Sequence, residues 1–465
     1  MAANRPIRAH RPGPLYREVA DPGSLAPFGE EAEAGNPSGW PGYRSLLRRA
    51  RLAAGARHAV TTGLARVGGR PCVLVGFEYA FLGGSLGVAE GTRIARAFTT
   101  ATARRLPVVS VVASGGARMQ EGTSALVQMQ VIAAAIGAAR NAGIPHVAVA
   151  GDPTTGGVWA SLVAGADVVL AVTGARVSFS GTRTRPAGID PGSPEFGAAA
   201  QWRRGFVDAL VPAAELRGQV AAVLGLLSPG SRGADCAPVP GPPGADDTDP
   251  GDAGRAPRDA WAQVSGARAR GGERAERWLA ACFETTFEIR GDRCGGVDTG
   301  LRCGFGARDG TTTAYIAQTG RPVTPAGLRT AARLMTLAGR FRRPVLTLID
   351  TPGASATPDD EAAGLGHAMA ELLVLLASAE VPVTSVVTGE GVSGGAVALA
   401  SPASLWLDPA GYLAVTTPEY AASILKLPAT EVPEVAARLR LMPADLISRG
   451  IARGLARPPG ERRAP

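Results

Sequence analysis

Two stretches of the chain carry the same succession of strand-like and helix-like patterns. In each stretch a proline opens a continuous apolar run, at residues 108–112 and again at residues 345–349. Such a run predicts a strand buried on both faces, and each run ends in a turn of small residues. An Ala-rich segment with helical periodicity follows, at residues 122–141 and 359–379. A second strand, again opened by a proline, comes next.

The prolines that open these strands are 38 residues apart in both stretches, from Pro107 to Pro145 and from Pro344 to Pro382. Each stretch then continues with a Gly-Gly turn, a helix of small residues and a third short strand. These elements are Gly156-Gly157, residues 158–165 and 168–172 in the first stretch, and Gly394-Gly395, residues 396–401 and 404–407 in the second. Strands that alternate with helices form right-handed βαβ units in a mainly parallel sheet. The sequence therefore predicts an α/β fold with two tandem domains related by internal duplication.

The composition supports this division and indicates its boundaries. With 465 residues, of which 45% are hydrophobic, the chain has enough apolar material for two cores. Residues 228–258 contain the run Pro-Val-Pro-Gly-Pro-Pro-Gly and are predicted to be a linker. Residues 1–45 are rich in Arg, Pro and Gly and are predicted to be a loosely held N-terminal arm. The two domains are then residues 46–227 and 259–465.

The same composition argues against several classes of protein. The net charge of +8 is spread along the chain, so it does not indicate a nucleic-acid-binding surface. We see no targeting segment and no run of ~18 apolar residues, and expect a cytoplasmic protein without a membrane span. The five cysteines form no CxxC pair and are odd in number, which excludes a zinc ribbon and disfavours disulfides. Four scattered histidines offer neither a metal site nor a Ser-His-Asp triad.

Glycine turns between a strand and a helix are the candidate chemistry of the chain. The N–H groups of Gly115-Gly116 and of Gly156-Gly157 can point outward because no side chain obstructs them. Two such turns that converge would form an oxyanion hole for an enolate or a tetrahedral oxygen. The alternative is that these glycines only permit tight packing of helix against sheet. Because both domains repeat both turns, and because the turns match neither a P-loop nor GxGxxG nor a nucleophile elbow, we favour an oxyanion hole.

The residues around these turns resemble a known family. Residues 113–122, Ala-Ser-Gly-Gly-Ala-Arg-Met-Gln-Glu-Gly, resemble the signature of the carboxyltransferase β subunit of bacterial acetyl-CoA carboxylase, as do residues 81–87 and 152–158. The second half resembles the α subunit at residues 287–293, 349–354, 389–396 and 417–425. The chain therefore resembles a β–α fusion with two tandem crotonase-like (ββα-superhelix) domains.

The resemblance implies an enzyme that moves a carboxyl group from carboxybiotin to the α-carbon of acetyl-CoA or a similar short acyl thioester. In the β-like half, the hole for the thioester enolate would comprise Gly115, Gly116, Gly156 and Gly157. In the α-like half, the residues facing the ureido oxygen of biotin would be Gly353, Ala354, Gly394 and Gly395. The residues assigned to bind acyl-CoA are Gly83, Gly84, Ala117, Arg118, Arg183 and Arg185. For the last two, contact with CoA phosphates and simple solvation at the surface are both open.

The same resemblance implies partners. The chain has no biotin-carboxylase domain, and its lone lysine, Lys426, is not in a Met-Lys-Met biotinylation site. Biotin must then arrive on a separate carrier protein, and biotin carboxylase must act in trans. Active sites of the family lie between β-like and α-like domains of different protomers, which implies a homodimer. No zinc is expected, because the zinc ribbon of the β subunit is missing, and no nucleic-acid or membrane partner is expected.

Two other functions stay open at this point. A biotin-independent malonyl-thioester decarboxylase of the malonate decarboxylase type would keep the enolate hole and need no carboxybiotin. A catalytically inactive scaffold, or an Arg-rich nucleic-acid binder, would need neither. The Ser-Gly-Gly-Ala-Arg-Met-Gln-Glu match favours the carboxylase, and the intact turns in both halves argue against a scaffold.

Overall fold

The computed structural model describes residues 14–29, 35–181, 189–190, 193–227, 259–269, 273–401 and 403–460. The chain divides into two compact units, which we call unit 1 and unit 2. Unit 1 comprises Met1–Trp202 and Ala209–Ser228, and unit 2 comprises Arg203–Asp208 and Pro229–Pro465. The predicted linker, residues 228–258, lies outside the described residues. The predicted domain boundaries stay predictions.

The sheet of unit 1 has the strand order β1-β2-β3-β4-β5-β6-β8, with β7 paired to β5. Its strands are β1 (Ala26–Pro27), β2 (Val60–Val67), β3 (Arg70–Phe77), β4 (Val108–Ser114), β5 (His146–Thr155), β6 (Val168–Val172), β7 (Val177–Ser178) and β8 (Ala209–Val211). From β3 onward every pairing is parallel, whereas β1, β2 and β3 pair antiparallel. The two-residue turn between β2 and β3 is Gly68-Gly69, and both glycines have positive φ.

The helices of unit 1 are α1 (Leu15–Val19), α2 (Tyr43–Ala54), α3 (Val88–Arg104), α4 (Thr123–Leu126), α5 (Gln128–Asn141), α6 (Gly156–Val158), which continues as a π-helical turn (Trp159–Val163), α7 (Ala198–Arg203) and α8 (Leu216–Leu227). Helix α3 begins where the Glu90 carboxylate accepts the N–H of Gly87 (3.1 Å). Its buried residues Ile94, Ala97, Phe98 and Ala101 recur every three or four positions, so one face packs against β2, β3 and α5.

Part of the predicted N-terminal arm is packed against this sheet. Tyr16 and Val19 of α1 are buried. The Tyr16 ring lies so close to Gly76 of β3 that a side chain at position 76 would clash with it. Strand β1 extends the sheet by pairing with β2. Residues 14–29 therefore belong to the body of unit 1, which differs from the loosely held arm that the composition indicates.

Unit 2 repeats the architecture, with the strand order β9-β10-β11-β12-β13-β14-β16 and with β15 paired to β13. Its strands are β9 (Thr285–Ile289), β10 (Leu301–Arg308), β11 (Thr311–Gln318), β12 (Val345–Thr351), β13 (Val383–Val392), β14 (Leu405–Leu407), β15 (Tyr412–Ala414) and β16 (Gly454–Leu455). Its helices are α9 (Ala260–Ala269), α10 (Glu273–Cys282), α11 (Pro325–Arg340), α12 (Pro358–Ala362), α13 (Leu365–Ala377), α14 (Ser393–Val397), α15 (Pro418–Ile424), α16 (Val432–Arg438) and α17 (Pro443–Ser448). Strands β9, β10 and β11 pair antiparallel, and the remaining pairings are parallel.

The duplication extends to the register of the central strands. In unit 1 the β4–β5 partners run from Val108–His146 to Val112–Ala150 and then shift to Ser114–Thr154. In unit 2 the β12–β13 partners run from Val345–Val383 to Ile349–Val387 and then shift to Thr351–Gly391. The offset of 38 residues and the place of the irregularity are the same in both. The predicted α/β fold with two duplicated domains is therefore confirmed. No helix among the described residues is long and apolar enough to cross a lipid bilayer.

Candidate active site

The first predicted turn lies where β4 ends. Strand β4 finishes at Ser114, and Gly116 has a φ of +107°, a conformation that favours glycine. The Gly116 N–H donates to Ser114 Oγ (3.1 Å), and that hydroxyl donates to the carbonyl of Gly84 (2.7 Å). The Gly115 N–H donates to the carbonyl of Gly83 (2.8 Å). The four glycines predicted here thus lie together, but the N–H groups of Gly115 and Gly116 stabilise the turn itself.

The second predicted turn lies where β5 ends, and it touches the first. Gly156 begins α6 with a φ of +67° and donates its N–H to the carbonyl of Phe179 (2.9 Å). A Cβ atom on Gly156 would lie 3.2 Å from the Cα of Gly116, so the two turns are in backbone contact. A Cβ on Gly157 would lie 2.6 Å from the sulfur of Met129. The predicted convergence of the two turns in unit 1 is what the structure shows.

Two N–H groups at this junction have no hydrogen-bond partner within the described chain, those of Ala117 and Gly157. Ala117 forms a β-bridge with Leu86, but the hydrogen bonds of that bridge use the Gly116 carbonyl and the Arg118 N–H. Gly157 lies in the first turn of a helix, where no acceptor within the helix is available. Both residues are partly exposed. They are therefore two unpartnered donors that lie together where the turns of unit 1 meet.

Unit 2 builds the same turn from different residues. Thr351 ends β12, and its Oγ1 accepts the N–H of Gly353 (3.1 Å), which has a φ of +130°. Ala354 forms a β-bridge with Val323, and the hydrogen bonds of the bridge use the Gly353 carbonyl and the N–H of the residue after Ala354. The Thr351 hydroxyl therefore accepts an N–H of the turn in unit 2, as the Ser114 hydroxyl does in unit 1.

Helix α14 supplies the second turn of unit 2. Its first residue, Ser393, has a φ of +57°, so a residue other than glycine takes the left-handed conformation here. A Cβ atom on Gly395 would be 2.6 Å from the carbonyl carbon of Gly353 and 2.7 Å from the nitrogen of Ala354. No hydrogen bond within the described residues uses the N–H of Ala354 or Gly394, and both are partly exposed. Unit 2 thus presents a pair of donors like that of unit 1.

Arg118 is buried behind the first turn. Its side chain is fully covered and pairs with Glu90 (2.9 Å) and Glu121 (3.0 Å). The Tyr43 hydroxyl donates to Glu121 (2.5 Å), and Arg118 also donates to the Ser85 carbonyl (2.7 Å). Burial opposes the charge of Arg118, but the Glu90 carboxylate outweighs it and raises the arginine pKa; burial raises the pKa of Tyr43. Arg118 therefore holds the turn from behind with a fully buried side chain, and its implied contact with acyl-CoA stays a prediction.

A second buried network lies just before the turn of unit 2. The Asp350 carboxylate accepts the N–H of Glu390 (2.9 Å) and pairs with Arg274 (3.2 Å). Glu390 in turn accepts hydrogen bonds from the Tyr412 hydroxyl (2.5 Å) and from Arg268 (3.0 Å). Burial raises the pKa of Asp350, although the Glu390 N–H and the Arg274 charge act in the opposite direction. This network holds the end of β12 in place.

The two hydroxyl groups that hold the turns, those of Ser114 and Thr351, are not among the residues predicted from the sequence. A signal for them exists, because both halves place a hydroxyl residue two positions before the glycine with positive φ. The predicted CoA contacts Arg183 and Arg185 lie outside the described residues. Among the described residues, no group of three or more His, Cys, Asp or Glu side chains is arranged to hold a metal ion.

Two family models match the two halves of the chain. The carboxyl transferase domain matches residues 38–187. The acetyl co-enzyme A carboxylase carboxyltransferase-like family matches residues 257–460. The matched segments contain the glycine turns of unit 1 and unit 2, respectively.

Relatives of known name match nearly the whole chain. The acetyl-coenzyme A carboxylase carboxyl transferase subunits beta/alpha of Salinispora tropica is 38% identical over 458 residues, covering 93% of this chain and 80% of the relative. The protein of that name from Saccharopolyspora erythraea is 36% identical over 461 residues, covering 94% and 78%.

A solved structure shows the same fold. The crystal structure of the transcarboxylase 12S hexamer, with hydrolysed methylmalonyl-coenzyme A bound, has a TM-score of 0.77 at 19% identity and covers 96% of this chain and 86% of that chain. The sequence resemblance is confirmed by the relatives, and the fold by this structure. The chain belongs to the carboxyl transferase family of acetyl-coenzyme A carboxylases, enzymes with carboxyltransferase activity, and joins a β-like and an α-like half in one polypeptide.

Proposed function

We propose that this protein is the carboxyltransferase component of a biotin-dependent acyl-CoA carboxylase, with acetyl-CoA or a similar short acyl thioester as the acceptor. The observation that carries the proposal is the pair of unpartnered, partly exposed N–H groups found twice, Ala117 with Gly157 and Ala354 with Gly394. Two holes suit a reaction in which two carbonyl oxygens gain negative charge.

Unit 1 would bind the acyl thioester. Its carbonyl oxygen would accept the N–H groups of Ala117 and Gly157, which stabilise the enolate formed when the α-carbon loses a proton. The contact between Gly116 and Gly156 keeps these donors close together, and no reorganisation is needed as the charge develops. Loss of one such donor costs about 3–4 kcal/mol of transition-state stabilisation.

Unit 2 would bind the ureido oxygen of biotin at Ala354 and Gly394. Carboxybiotin supplies the carboxyl group and, once it has lost that group, a nitrogen base for the α-proton. The protein contributes orientation and dipoles and no side-chain nucleophile. The remaining predicted glycines, Gly115, Gly353 and Gly395, support the donors from inside the turns.

The proposal includes partners. Biotin would arrive on a separate carrier protein charged by a biotin carboxylase in trans, a proposal supported by relatives that are named as carboxyl transferase subunits. We also propose a cytoplasmic homodimer in which the thioester half of one protomer faces the biotin half of the other. Arg183 and Arg185 are proposed to contact the CoA phosphates, because arginine forms bidentate pairs with phosphate.

Reversal of the reaction tests the proposal. The purified protein is incubated with malonyl-CoA, with and without free biotin, and acetyl-CoA is quantified. Acetyl-CoA that forms only when biotin is present supports the carboxyltransferase. Equal release without biotin would contradict it in favour of a malonyl-thioester decarboxylase, and no release under either condition would favour a scaffold.

A further inference from the structure

Gln318, the last residue of β11, joins the two turns of unit 2 through one buried amide. The residue is 0% exposed. Its Oε1 accepts the N–H of Asp350 (3.2 Å), and its Nε2 donates to the carbonyl of Gly395 (2.8 Å). These two contacts fix the orientation of the amide, since only one orientation puts a donor against the carbonyl and an acceptor against the N–H.

Both partners of the amide lie next to the candidate donors. Asp350 directly precedes Thr351, whose hydroxyl holds the Gly353 N–H (3.1 Å). Gly395 follows Gly394 and lies against the Gly353–Ala354 peptide. The Gln318 side chain therefore connects the end of β12, which leads into the turn with the Ala354 donor, to helix α14, which carries the Gly394 donor.

The strand end that Gln318 contacts is held firmly on other sides. The Asp350 carbonyl accepts the N–H of Gly320 (2.7 Å), and its carboxylate is held by Glu390 and Arg274. Because Asp350 is fixed, we expect loss of the Gln318 amide to affect mainly its other partner, Gly395, which could then shift relative to the turn at Gly353. A buried carbonyl that loses its donor also costs free energy until it finds another.

Unit 1 has no such amide at this place. Gln318 pairs with Leu301 at the end of its hairpin, and Phe77 pairs with Val60 at the same end of the equivalent hairpin. A phenylalanine side chain has no group that can bond to a carbonyl or an N–H. At this position the amide is therefore specific to the pair of turns in unit 2.

We propose that Gln318 is a positioning residue that sets the spacing of the Ala354 and Gly394 N–H groups, and thereby serves the half that binds the ureido oxygen of biotin. The inference rests on the proposed function for the identity of the ligand. The spacing itself is a property of the fold and is measurable without any ligand.

The test compares Gln318→Met with Gln263→Met in the full chain. Gln263 is another buried amide of unit 2, and it donates to the carbonyls of Pro409 (3.0 Å) and Gly411 (2.8 Å), which belong to neither turn. Methionine keeps the side-chain volume, so both variants are expected to fold. For biotin-dependent release of acetyl-CoA from malonyl-CoA, Gln318→Met is expected to lower kcat by about 10- to 100-fold. It should raise KM for biotin and leave KM for malonyl-CoA unchanged, whereas Gln263→Met should leave all three constants near the wild-type values.

A third variant, Gln318→Glu, gives a readout that a merely structural role would not move. A protonated carboxyl can donate to the Gly395 carbonyl as the amide does, whereas a carboxylate repels that oxygen. Burial raises the pKa of such a carboxyl. The charged groups of the residue that it contacts, the Asp350 carboxylate and its partner Arg274, are paired with each other. The activity of Gln318→Glu relative to wild type is therefore expected to rise as the pH is lowered, and that of Gln318→Met is not.

Hydrogen exchange of the ligand-free proteins separates this inference from the proposed function. Peptides that cover residues 351–355 and 393–397 should exchange faster in Gln318→Met than in wild type or Gln263→Met. An inactive wild type with this exchange pattern would refute the proposed function and support the positioning role. Gln318→Met that matches Gln263→Met in exchange and in kinetics would overturn the inference.

Discussion

In unit 1 the turn after β4 is held from its downstream side, where Arg118 pairs with Glu90 and Glu121. In unit 2 the turn after β12 is held from its upstream side, where Asp350 pairs with Arg274. Both ion pairs are buried. In each unit, the network residue nearest in sequence to the glycine with positive φ, Arg118 or Asp350, is two or three residues from it. The two halves therefore place a buried ion pair on opposite sides of the same backbone feature.

What the two units share is backbone geometry. Both have the same register shift, and both satisfy the inner N–H of the turn with a hydroxyl, Ser114 for Gly116 and Thr351 for Gly353. What differs is the side-chain support, since Ala113 precedes the hydroxyl residue in unit 1 where Asp350 does in unit 2. The backbone therefore fixes the donors in both halves, and the side chains that support the turn differ between them.

The largest effect on stability is expected from Arg118→Met, which removes the cation from the network of unit 1. Glu90 and Glu121 would be left buried without their partner, at a cost of about 3–5 kcal/mol in the free energy of unfolding. Urea unfolding measures this loss. The matched control is Arg176→Met, whose pair with Asp152 is about half exposed and is expected to contribute about 0–1 kcal/mol. Equal, small losses in both variants would show that the network of unit 1 does not hold the turn.

The stability of unit 1 is expected to depend on pH more strongly than that of unit 2. Unit 1 contains His58 and His146, both buried, and burial lowers the pKa of each to about 4, whereas His367 of unit 2 is exposed. The unfolded chain binds these protons below about pH 6.5, and the folded unit only near pH 4, so stability is present above pH 6.5 and is lost as the pH falls through that window. The expected loss is at most about 3 kcal/mol for His146 and smaller for the less buried His58.

Urea unfolding at pH 7 and pH 4.5, followed by pulsed hydrogen exchange that reports on each unit separately, checks this expectation. His146→Gln should reduce the loss in unit 1 and leave unit 2 unchanged. A loss of stability on acidification that is no greater in unit 1 than in unit 2 would contradict this expectation.

A smaller and equal effect is expected when the two hydroxyls are removed. Ser114→Ala and Thr351→Val each leave a buried glycine N–H without its acceptor, at about 1–3 kcal/mol. Ser378→Ala, which removes an exposed hydroxyl, is the control and should change stability by less than about 0.5 kcal/mol. Urea unfolding of the three variants measures these losses in the free energy of unfolding. Clearly unequal losses for Ser114→Ala and Thr351→Val would show that the two turns are not equivalent.

The sequence predicts the central strands and their helices well, because the apolar runs and the 38-residue spacing are local patterns. It misses the hairpins β2–β3 and β10–β11, although Gly68-Gly69 and Asp309-Gly310 are hairpin turn signals. In the site, the glycine turns are predicted and the four unpartnered donors are among the predicted residues, but the sequence does not show which N–H groups of each turn form internal hydrogen bonds. Which N–H groups are used internally depends on distant residues such as Leu86 and Val323.

The role of Arg118 is beyond sequence reasoning for the same reason. Its partners Glu90 and Tyr43 come from helices far away in the chain, and no periodicity brings them together. Gln318 is similar: its position at a strand end is visible in the sequence, but its contacts with Asp350 and Gly395 follow only from the folded sheet.

The oxyanion holes proposed for both units are tested by the rate of biotin-dependent acetyl-CoA release from malonyl-CoA by Gly116→Val and Gly395→Val. A side chain at Gly116 conflicts with its φ of +107°, and one at Gly395 would enter the Gly353–Ala354 peptide. The controls are Gly137→Val and Gly366→Val, where nothing lies within 4 Å of the added Cβ. We expect a loss of at least about 100-fold in kcat for both turn variants, with the protein still folded and the controls active. Full activity in either turn variant would contradict it.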